Sequence, residues 1–438
     1  MPPQPPTAAS RDEPVIRDRG DACPGALRLH AADDGHLARV RIPGGLLTAR
    51  QASVLALAAD RFGDGHLELT SRGNVQLRGL ADGCGAGLAS LLDGAGLLPA
   101  PSHERVRNIV ASPMAADRVV RWVRELDRLL CASTRATALS GRFLFALDEG
   151  RGDVAALEPD VTVLAGTDGR ALLRLGAAGD AVELADADAD APHAALLAAE
   201  YFLDTADAAG TRAWRVAELP DEHAPQAAEL VRRLAAAGIA AAHRPEVAWP
   251  YAAPPAPRGP GGAGERTALC VLPPLGRLSS DQWRVLVQVA DAGDGELRVT
   301  PWRSIVLPGA STRGPVDGYA RIEAAGLVVA PDSPWQSVTA CTGRPGCAKA
   351  LADVRADARA VVEAAGPTAG GLPVHWSGCA RRCGHPRGTA WVDLVATPDG
   401  YELCAPGLPA PAPVPHAGLA AALTAARRPR TTTPPPTQ

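Results

Sequence analysis

Four cysteines fall in two short segments: Cys341 and Cys347 in "TACTGRPGCAKA", with five residues between them, and Cys379 and Cys383 in "HWSGCARRCGHP", with three. Four thiols can hold a structural zinc ion, hold an iron–sulfur cluster, or be buried as small apolar side chains. Zinc sites usually space each pair by two to four residues, and the five between Cys341 and Cys347 exceed that. A core segment would not surround its thiols with Gly343, Pro345 and Gly346, or with Gly378, Arg381, Arg382 and Gly384. Loops of that composition leave backbone N–H groups free to hydrogen-bond sulfur and so stabilise an anionic cluster. The iron–sulfur reading leads, and the other two stay open. Cys23, Cys84, Cys131, Cys270 and Cys404 have no partner at ligand spacing and read as structural, except that Cys23 in "DACPGAL" keeps an open role.

The elements that position these thiols must come from a chain of 438 residues, enough for two or three domains. It is 46% apolar and 21% charged with a formal net charge of −4, so it lacks the basic excess that nucleic-acid binding needs. Lys349 is the single lysine, which leaves anion recognition to arginine and its bidentate grip on carboxylates. No apolar run reaches the roughly 18–20 residues of a membrane span. The first residues, "MPPQPPTAASRDEP", have neither the basic segment nor the apolar stretch of a secretory leader. A cytoplasmic protein with reduced thiols is expected, and nine cysteines, an odd number, fit a disulfide framework poorly.

Residues 1–20 and 409–438 read as mainly disordered tails, and "YAAPPAPRGPGGAGE" (251–265) as a Pro/Gly linker. The halves on either side repeat. Residues 41–79 align with 271–309: Leu47-Thr48 with Leu278-Ser279, Gln51 with Gln282, Gly63-Asp64-Gly65 with Gly293-Asp294-Gly295, and Thr70 with Thr300. Each unit predicts a short strand, a Thr- or Ser-capped helix, a Gly-Asp-Gly turn, and a strand, which in the first unit carries Leu67, Leu69, Val75 and Leu77. The expected architecture is α+β, a pseudo-twofold duplication of ferredoxin-like half-domains, each followed by an α/β domain. Half-domains are placed at 21–102 and 266–335, a first α/β domain at 103–250, and the cysteine domain at 336–408. In the first α/β domain a helix is expected over "AADRVVRWVRELDRLL" and a strand in "GRFLFAL"; "DAVELADADADAPHAALLAAE" reads as a strand, a solvated acidic loop and a helix.

The C-x5-C and C-x3-C pairs resemble the cluster motif of the sulfite and nitrite reductase superfamily. Three further segments follow in that family's order. "RVRIPGG" (39–45) resembles its early Arg-x-Arg strand, "LTSRGNVQLRG" (69–79) its Thr-x-Arg-Gln-x-x-Gln strand, and "VRNIVASP" (106–113) its Arg-Asn segment. The resemblance implies that Cys341, Cys347, Cys379 and Cys383 bind a [4Fe-4S] cluster, and that the last of them also bridges to the iron of a sirohaem where one is bound.

Two departures change the expectation. Where the six-electron reductases carry a Lys-x-Lys pair, this chain reads "LSGRFLF", with Arg142 for the first lysine and Leu144 for the second; Gly73 replaces the glutamine after Arg72. Arginine can hold an anion but donates protons poorly, and leucine does neither. The precorrin-3B synthase branch, whose members begin with a similar Ala-Cys-Pro-Gly segment, resembles the chain better. That resemblance implies hydroxylation of a precorrin tetrapyrrole at C20 with O2 and lactone closure from a ring-A acetate. It also implies a mononuclear iron beside the cluster, and electrons from NADH through a separate reductase or ferredoxin. The site it implies comprises Arg39, Arg41, Arg72, Arg107 and Arg142, with Thr70, Asn74, Gln76 and Asn108 as hydrogen-bonding partners; Arg78 and Arg105 are weaker candidates. No ligand set for the mononuclear iron is legible, and His375 and His385 beside the cysteines read as hydrogen-bonding neighbours. A sirohaem-dependent sulfite or nitrite reductase and a non-catalytic tetrapyrrole-binding protein are the alternatives.

Overall fold

The computed structural model describes residues 21, 23–177, 180–253, 255–256, 267–310, 318–365, 371–385, 390–408 and 410–427. Residues 1–20, most of 251–265 and the last eleven residues of the chain lie outside them, so the expected tail and linker there are not addressed.

The two repeats fold as one body because each lends the other a strand. In the first sheet, β1 (His30–Ala32), β2 (Gly35–Val40), β5 (Val75–Leu80) and β4 (His66–Leu69) are extended by β13 (Arg277–Ser279) from the second repeat. In the other, β12 (Thr267–Val271), β15 (Ile305–Ala310) and β14 (Glu296–Val299) are extended by β3 (Leu46–Thr48) from the first. The exchange is antiparallel and symmetric: Leu278 faces Leu67, and Leu297 faces Leu47. The single strand expected over Leu67–Leu77 is a hairpin instead, β4 and β5 joined by the loop 70–74.

Both helices start where their caps predict. Thr48 accepts from the backbone N–H of Gln51 at the head of α1 (Ala49–Phe62), and Ser279 does the same with Gln282 at α6 (Ser280–Asp291), each forming a capping box. The first N–H of each helix reaches the Gly-Asp-Gly turn of the other repeat: Ala49 N donates to Gly295 O and Ser280 N to Gly65 O. Ala52, Ala56 and Ala59 let α1 lie close to Trp283, Leu286 and Ala290 of α6 in one shared core. α2 (Gly85–Gly94) and α7 (Gly318–Ala324) flank this pair.

The first α/β domain is a six-stranded sheet in the order β11-β10-β9-β8-β7-β6. β6 (Ile109–Ala111), β7 (Phe145–Asp148) and β8 (Val161–Ala165) run parallel, while β9 (Ala171–Leu175), β10 (Ala181–Leu184) and β11 (Ala241–Arg244) continue antiparallel. α3 (Asp117–Ala132) and α4 (Ala187–Ala208) cover it, with α5 (Ala227–Ala236) packed on α4. The stretch read as a solvated acidic loop is the head of α4. Asp186 caps it by accepting from Ala189 N, and Asp188 and Asp190 occupy the first turn, where carboxylates suit the helix dipole.

The cysteine domain pairs β16 (Val338–Ala340), β17 (Val374–Ser377) and β18 (Val392–Thr397) in parallel, then β19 (Gly400–Cys404) and β20 (Ala412–Val414) antiparallel. α8 (Val354–Ala365) and α9 (Leu419–Ala426) close a core around Trp376, Tyr401 and Leu394. This corrects the boundary placed at 408: Leu419 and Leu423 of α9 are core residues, and their burial draws 410–427 out of the tail.

The shared core fixes a stability test. Trp283 is fully buried in α6, and its indole N–H donates to Ala52 O of α1 at 2.8 Å. Trp283→Ala should cost about 3–5 kcal/mol, read as a fall in the denaturant midpoint. A shift under about 1 kcal/mol would show that the two repeats do not depend on this contact.

Candidate active site

Three of the predicted arginines converge on one edge of the first half-domain. Arg39 at the end of β2 donates from Nη2 to Gln76 Oε1 at 2.9 Å, while its Nε is buried without a partner. Arg41 is 3% exposed and touches only backbone: Nε donates to Arg105 O at 3.3 Å and Nη2 to Pro24 O at 3.4 Å, and Nη1 has no partner. Arg72, on the β4–β5 loop, donates from Nη1 to Gly141 O at 2.9 Å.

Among the described residues, none of the three is paired with a carboxylate. Burial pulls the pKa of Arg41 down to about 9, with the like charges of Arg39 and Arg72 adding to it. Burial and Arg215 pull Arg72 down to about 10. A base whose pKa falls on folding costs stability wherever it stays charged, so at neutral pH this site gains by taking in an anion.

The hydrogen-bonding partners of this set mostly build the scaffold. Thr70 Oγ1 accepts from the backbone N–H groups of Asn74 and Arg72 and so shapes the loop that carries Arg72. Asn74 Oδ1 accepts from Ile42 N, and Asn108 Nδ2 donates to Gly141 O and Arg105 O. In this structure both amides hold the backbones of Ile42, Arg105 and Gly141 together around the arginines. Gly73 takes φ +65°, and a Cβ there would stand 2.9 Å from Val299 O, so the loop accommodates glycine where the family has glutamine.

Arg107 is held in an ion pair instead. Nε and Nη2 pair with both oxygens of Asp127 on α3 at 2.7 Å, and Nη1 donates to Leu97 O. It anchors α3 to the loop before β6. Arg142 is exposed and lies over the ring of Trp214, 4.9 Å from its centre. Arg105 donates to Asp21 O at 3.1 Å. Arg78 pairs with Asp34 and reaches Gly346 O at 2.7 Å, tying the first half-domain to the loop that carries Cys347.

Sequence reading missed Glu68. This buried carboxylate of β4 accepts from Arg355 Nη1 on α8 at 2.6 Å and from Gln76 Nε2 at 2.9 Å. Burial alone would raise its pKa, but Arg355, Arg78 and Arg277 hold it below the usual carboxylate value. An ionised carboxylate only accepts, so the NH2 of Gln76 must face Glu68 and its oxygen must face Arg39.

Leu144 is 4% exposed and packs with Val110, Ala146 and Val154 against Trp302 of the second half-domain. Leu144 is thus part of an apolar contact between the first α/β domain and the second half-domain.

The four cysteines lie on two facing loops. Cys341 Sγ accepts from Gly378 N at 3.1 Å, and Cys341 N donates to Trp376 O at 2.9 Å. Burial pushes the Cys341 thiol up, the N–H groups of Gly378 and Gly343 pull it back, and Cys383 and Cys379 push it up further, so the two loops interact electrostatically. Cys383 is exposed and the other three are partly buried. His375 is fully buried, shares a hydrogen bond with Thr339 Oγ1 at 2.9 Å, and is held neutral by burial with a pKa near 3. His385 Nε2 stands 2.9 Å from Asp393 Oδ1. Among the described residues, no three His, Cys, Asp or Glu side chains are close enough to hold one metal ion.

Arg41 and Arg107 should separate by experiment. Arg41→Gln should weaken binding of a porphyrin polycarboxylate such as uroporphyrin roughly 10- to 100-fold, the equivalent of about 1.5–3 kcal/mol for a hydrogen bond to a charged group. Arg107→Ala should instead lower stability by about 3 kcal/mol and leave that affinity unchanged. The reverse pattern in fluorescence titration and urea denaturation would exchange their roles.

Comparison with known proteins places this geometry. The nitrite/sulfite reductase ferredoxin-like half-domain model matches residues 30–83 and again 260–313, the two repeats. A precorrin-3B synthase from Sinorhizobium sp. is 29% identical over 90% of this chain and 84% of its own length. A ferredoxin–nitrite reductase from Leptolyngbya laminosa is 28% identical over 82% of this chain and 76% of its own. The NirA protein of Mycobacterium tuberculosis superposes with a TM-score of 0.63 at 18% identity, covering 89% of this chain and 79% of that one, and so shares the fold. The chain thus carries the nitrite/sulfite reductase ferredoxin-like half-domain twice, and over most of its length it is similar to a precorrin-3B synthase and to ferredoxin–nitrite reductases.

Proposed function

We propose that the protein is an oxygen-dependent oxidoreductase of the precorrin-3B synthase type, which hydroxylates precorrin-3A at C20 and closes a lactone from the ring-A acetate. The observation that carries this reading is the set of Arg39, Arg41 and Arg72, buried or half-buried cations with no carboxylate paired to them among the described residues, of which Arg39 Nε and Arg41 Nη1 are buried without a partner. A polycarboxylate macrocycle supplies the missing anions. Guanidinium groups fixed by backbone and amide contacts can hold its side chains in one orientation. Leu144 and Trp302 support the same choice, since their apolar contact offers no proton donor of the kind that sulfite or nitrite reduction consumes.

Cys341, Cys347, Cys379 and Cys383 would hold a [4Fe-4S] cluster, and the Gly378 N–H already directed at Cys341 Sγ suits an anionic sulfur ligand. Such a cluster supplies electrons one at a time, received from a separate reductase or ferredoxin. A mononuclear iron would complete the set, and no ligand set is assigned to it. Similarity to a ferredoxin–nitrite reductase over 82% of the chain favours a second reading, a sirohaem-dependent reductase.

Iron, acid-labile sulfide and absorption spectra of the anaerobically purified protein separate the two. About four irons with sulfide and no sirohaem bands support the oxygenase; a fifth iron strengthens it. Sirohaem bands beside the cluster turn the assignment to sulfite or nitrite reduction. Cys383→Ser should lose or convert the cluster and abolish turnover. Full activity with unchanged iron content would remove that residue from the ligand set.

A further inference from the structure

The segment that carries Cys23 lies across the arginine site. Residues 21 and 23–29 run over it as a strap pinned at both ends. Asp21 Oδ2 accepts from Gly141 N at 2.5 Å and Ser140 Oγ at 2.9 Å, and its Oδ1 accepts from Cys23 N at 2.9 Å. Farther along, Glu104 Oε2 accepts from Ala26 N at 2.6 Å and Leu27 N at 3.0 Å. Between these anchors Pro24 O receives Arg41 Nη2, and Nη1 of the same guanidinium is buried without a partner. A Cβ on Gly141 would stand 3.0 Å from the Cβ of Cys23, so Cys23 rests on the loop whose carbonyl receives Arg72.

We propose that Cys23 is a wall of the carboxylate pocket, its side chain lying against the ligand carboxylate that Arg41 and Arg72 bind. This rests on the reading that the arginines receive tetrapyrrole carboxylates, and it makes the strap part of the binding site. The electrostatics agree with that placement. Burial and Asp21 favour the protonated thiol, while Arg41 and Arg72 are the cations that oppose them. A neutral thiol can donate a weak hydrogen bond to a carboxylate without adding a like charge.

Alkylation of the intact, cluster-loaded protein under argon tests this. The Cys23 sulfur displaces iodide from the reagent: a C–S bond forms, the C–I bond breaks, and the thiol proton passes to buffer. Rates are read at the Cys23 peptide by mass spectrometry, with iodoacetate and with uncharged iodoacetamide, and glutathione is the reference. Arginines around the thiol should concentrate the anionic reagent, raising the iodoacetate-to-iodoacetamide rate ratio about tenfold above that of glutathione. Saturating uroporphyrin should slow Cys23 alkylation by about tenfold or more. A ratio equal to that of glutathione overturns the proposal. So does uroporphyrin that binds by absorbance yet leaves the Cys23 rate unchanged, a result that spares the tetrapyrrole reading. The raised ratio with no uroporphyrin binding supports an anion pocket at Cys23 and counts against the tetrapyrrole reading instead.

Discussion

Moving a carboxylate out of water costs several kcal/mol unless cations meet it, and at Glu68 they come from separate parts of the chain. Arg355 arrives from the cysteine domain at 2.6 Å, and Arg277 from the strand exchanged by the second repeat at 3.6 Å. The first half-domain, the second repeat and the cysteine domain are thus held to one another through a single buried ion cluster. Its second effect is directional. Because Glu68 can only accept, Gln76 presents its amide to Glu68 and its oxygen to Arg39. The orientation of an arginine at the candidate site is therefore set by the contact that docks the cysteine domain.

The duplicated fold uses the equivalent position twice. Glu68 of β4 corresponds to Arg298 of β14, since Thr70 aligns with Thr300. Arg298 donates to Pro113 O and Ala115 O of the first α/β domain at 3.0 and 2.8 Å. Each repeat therefore projects a charged side chain from the middle of its hairpin strand to fasten a neighbouring domain, one by a carboxylate and the other by a guanidinium. On the opposite sheet face, Leu67 and Leu297 enter the shared core. The alternation of a strand buried on one face by helices and on the other by a second domain explains both.

That same alternation limits what the sequence discloses. Thr48 with Gln51, Ser279 with Gln282 and the glycine turns are local signals, and they place α1 and α6 correctly. The exchange of β3 and β13 leaves no local trace, because either strand would satisfy the same pattern within its own repeat. Glu68 reads as a solvent-facing residue between two leucines until the domain covering it is known. Arg107 sits beside Asn108 in a family-like segment, yet its partner is Asp127 on one face of a helix, a pairing that only packing decides. Arg39, Arg41 and Arg72 were legible through their motifs. What separates them from the surface arginines of the chain is burial without a carboxylate, a property of the fold.

The loops at the tips of the two hairpins have taken different roles from one ancestral geometry. Both keep a left-handed residue at equivalent positions, Gly73 with φ +65° and Arg303 with φ +59°, and both are organised by a threonine hydroxyl, Thr70 or Thr300. Before that residue the first loop carries Arg72, and the second carries Trp302. Arg72 leaves a cation facing the strap, whereas Trp302 closes over Leu144 and Val110. A lysine at position 144 would set an ammonium among an indole and three aliphatic side chains, at a cost in desolvation. Leu144 and Trp302 therefore belong together, as two sides of one apolar contact between the first α/β domain and the second half-domain.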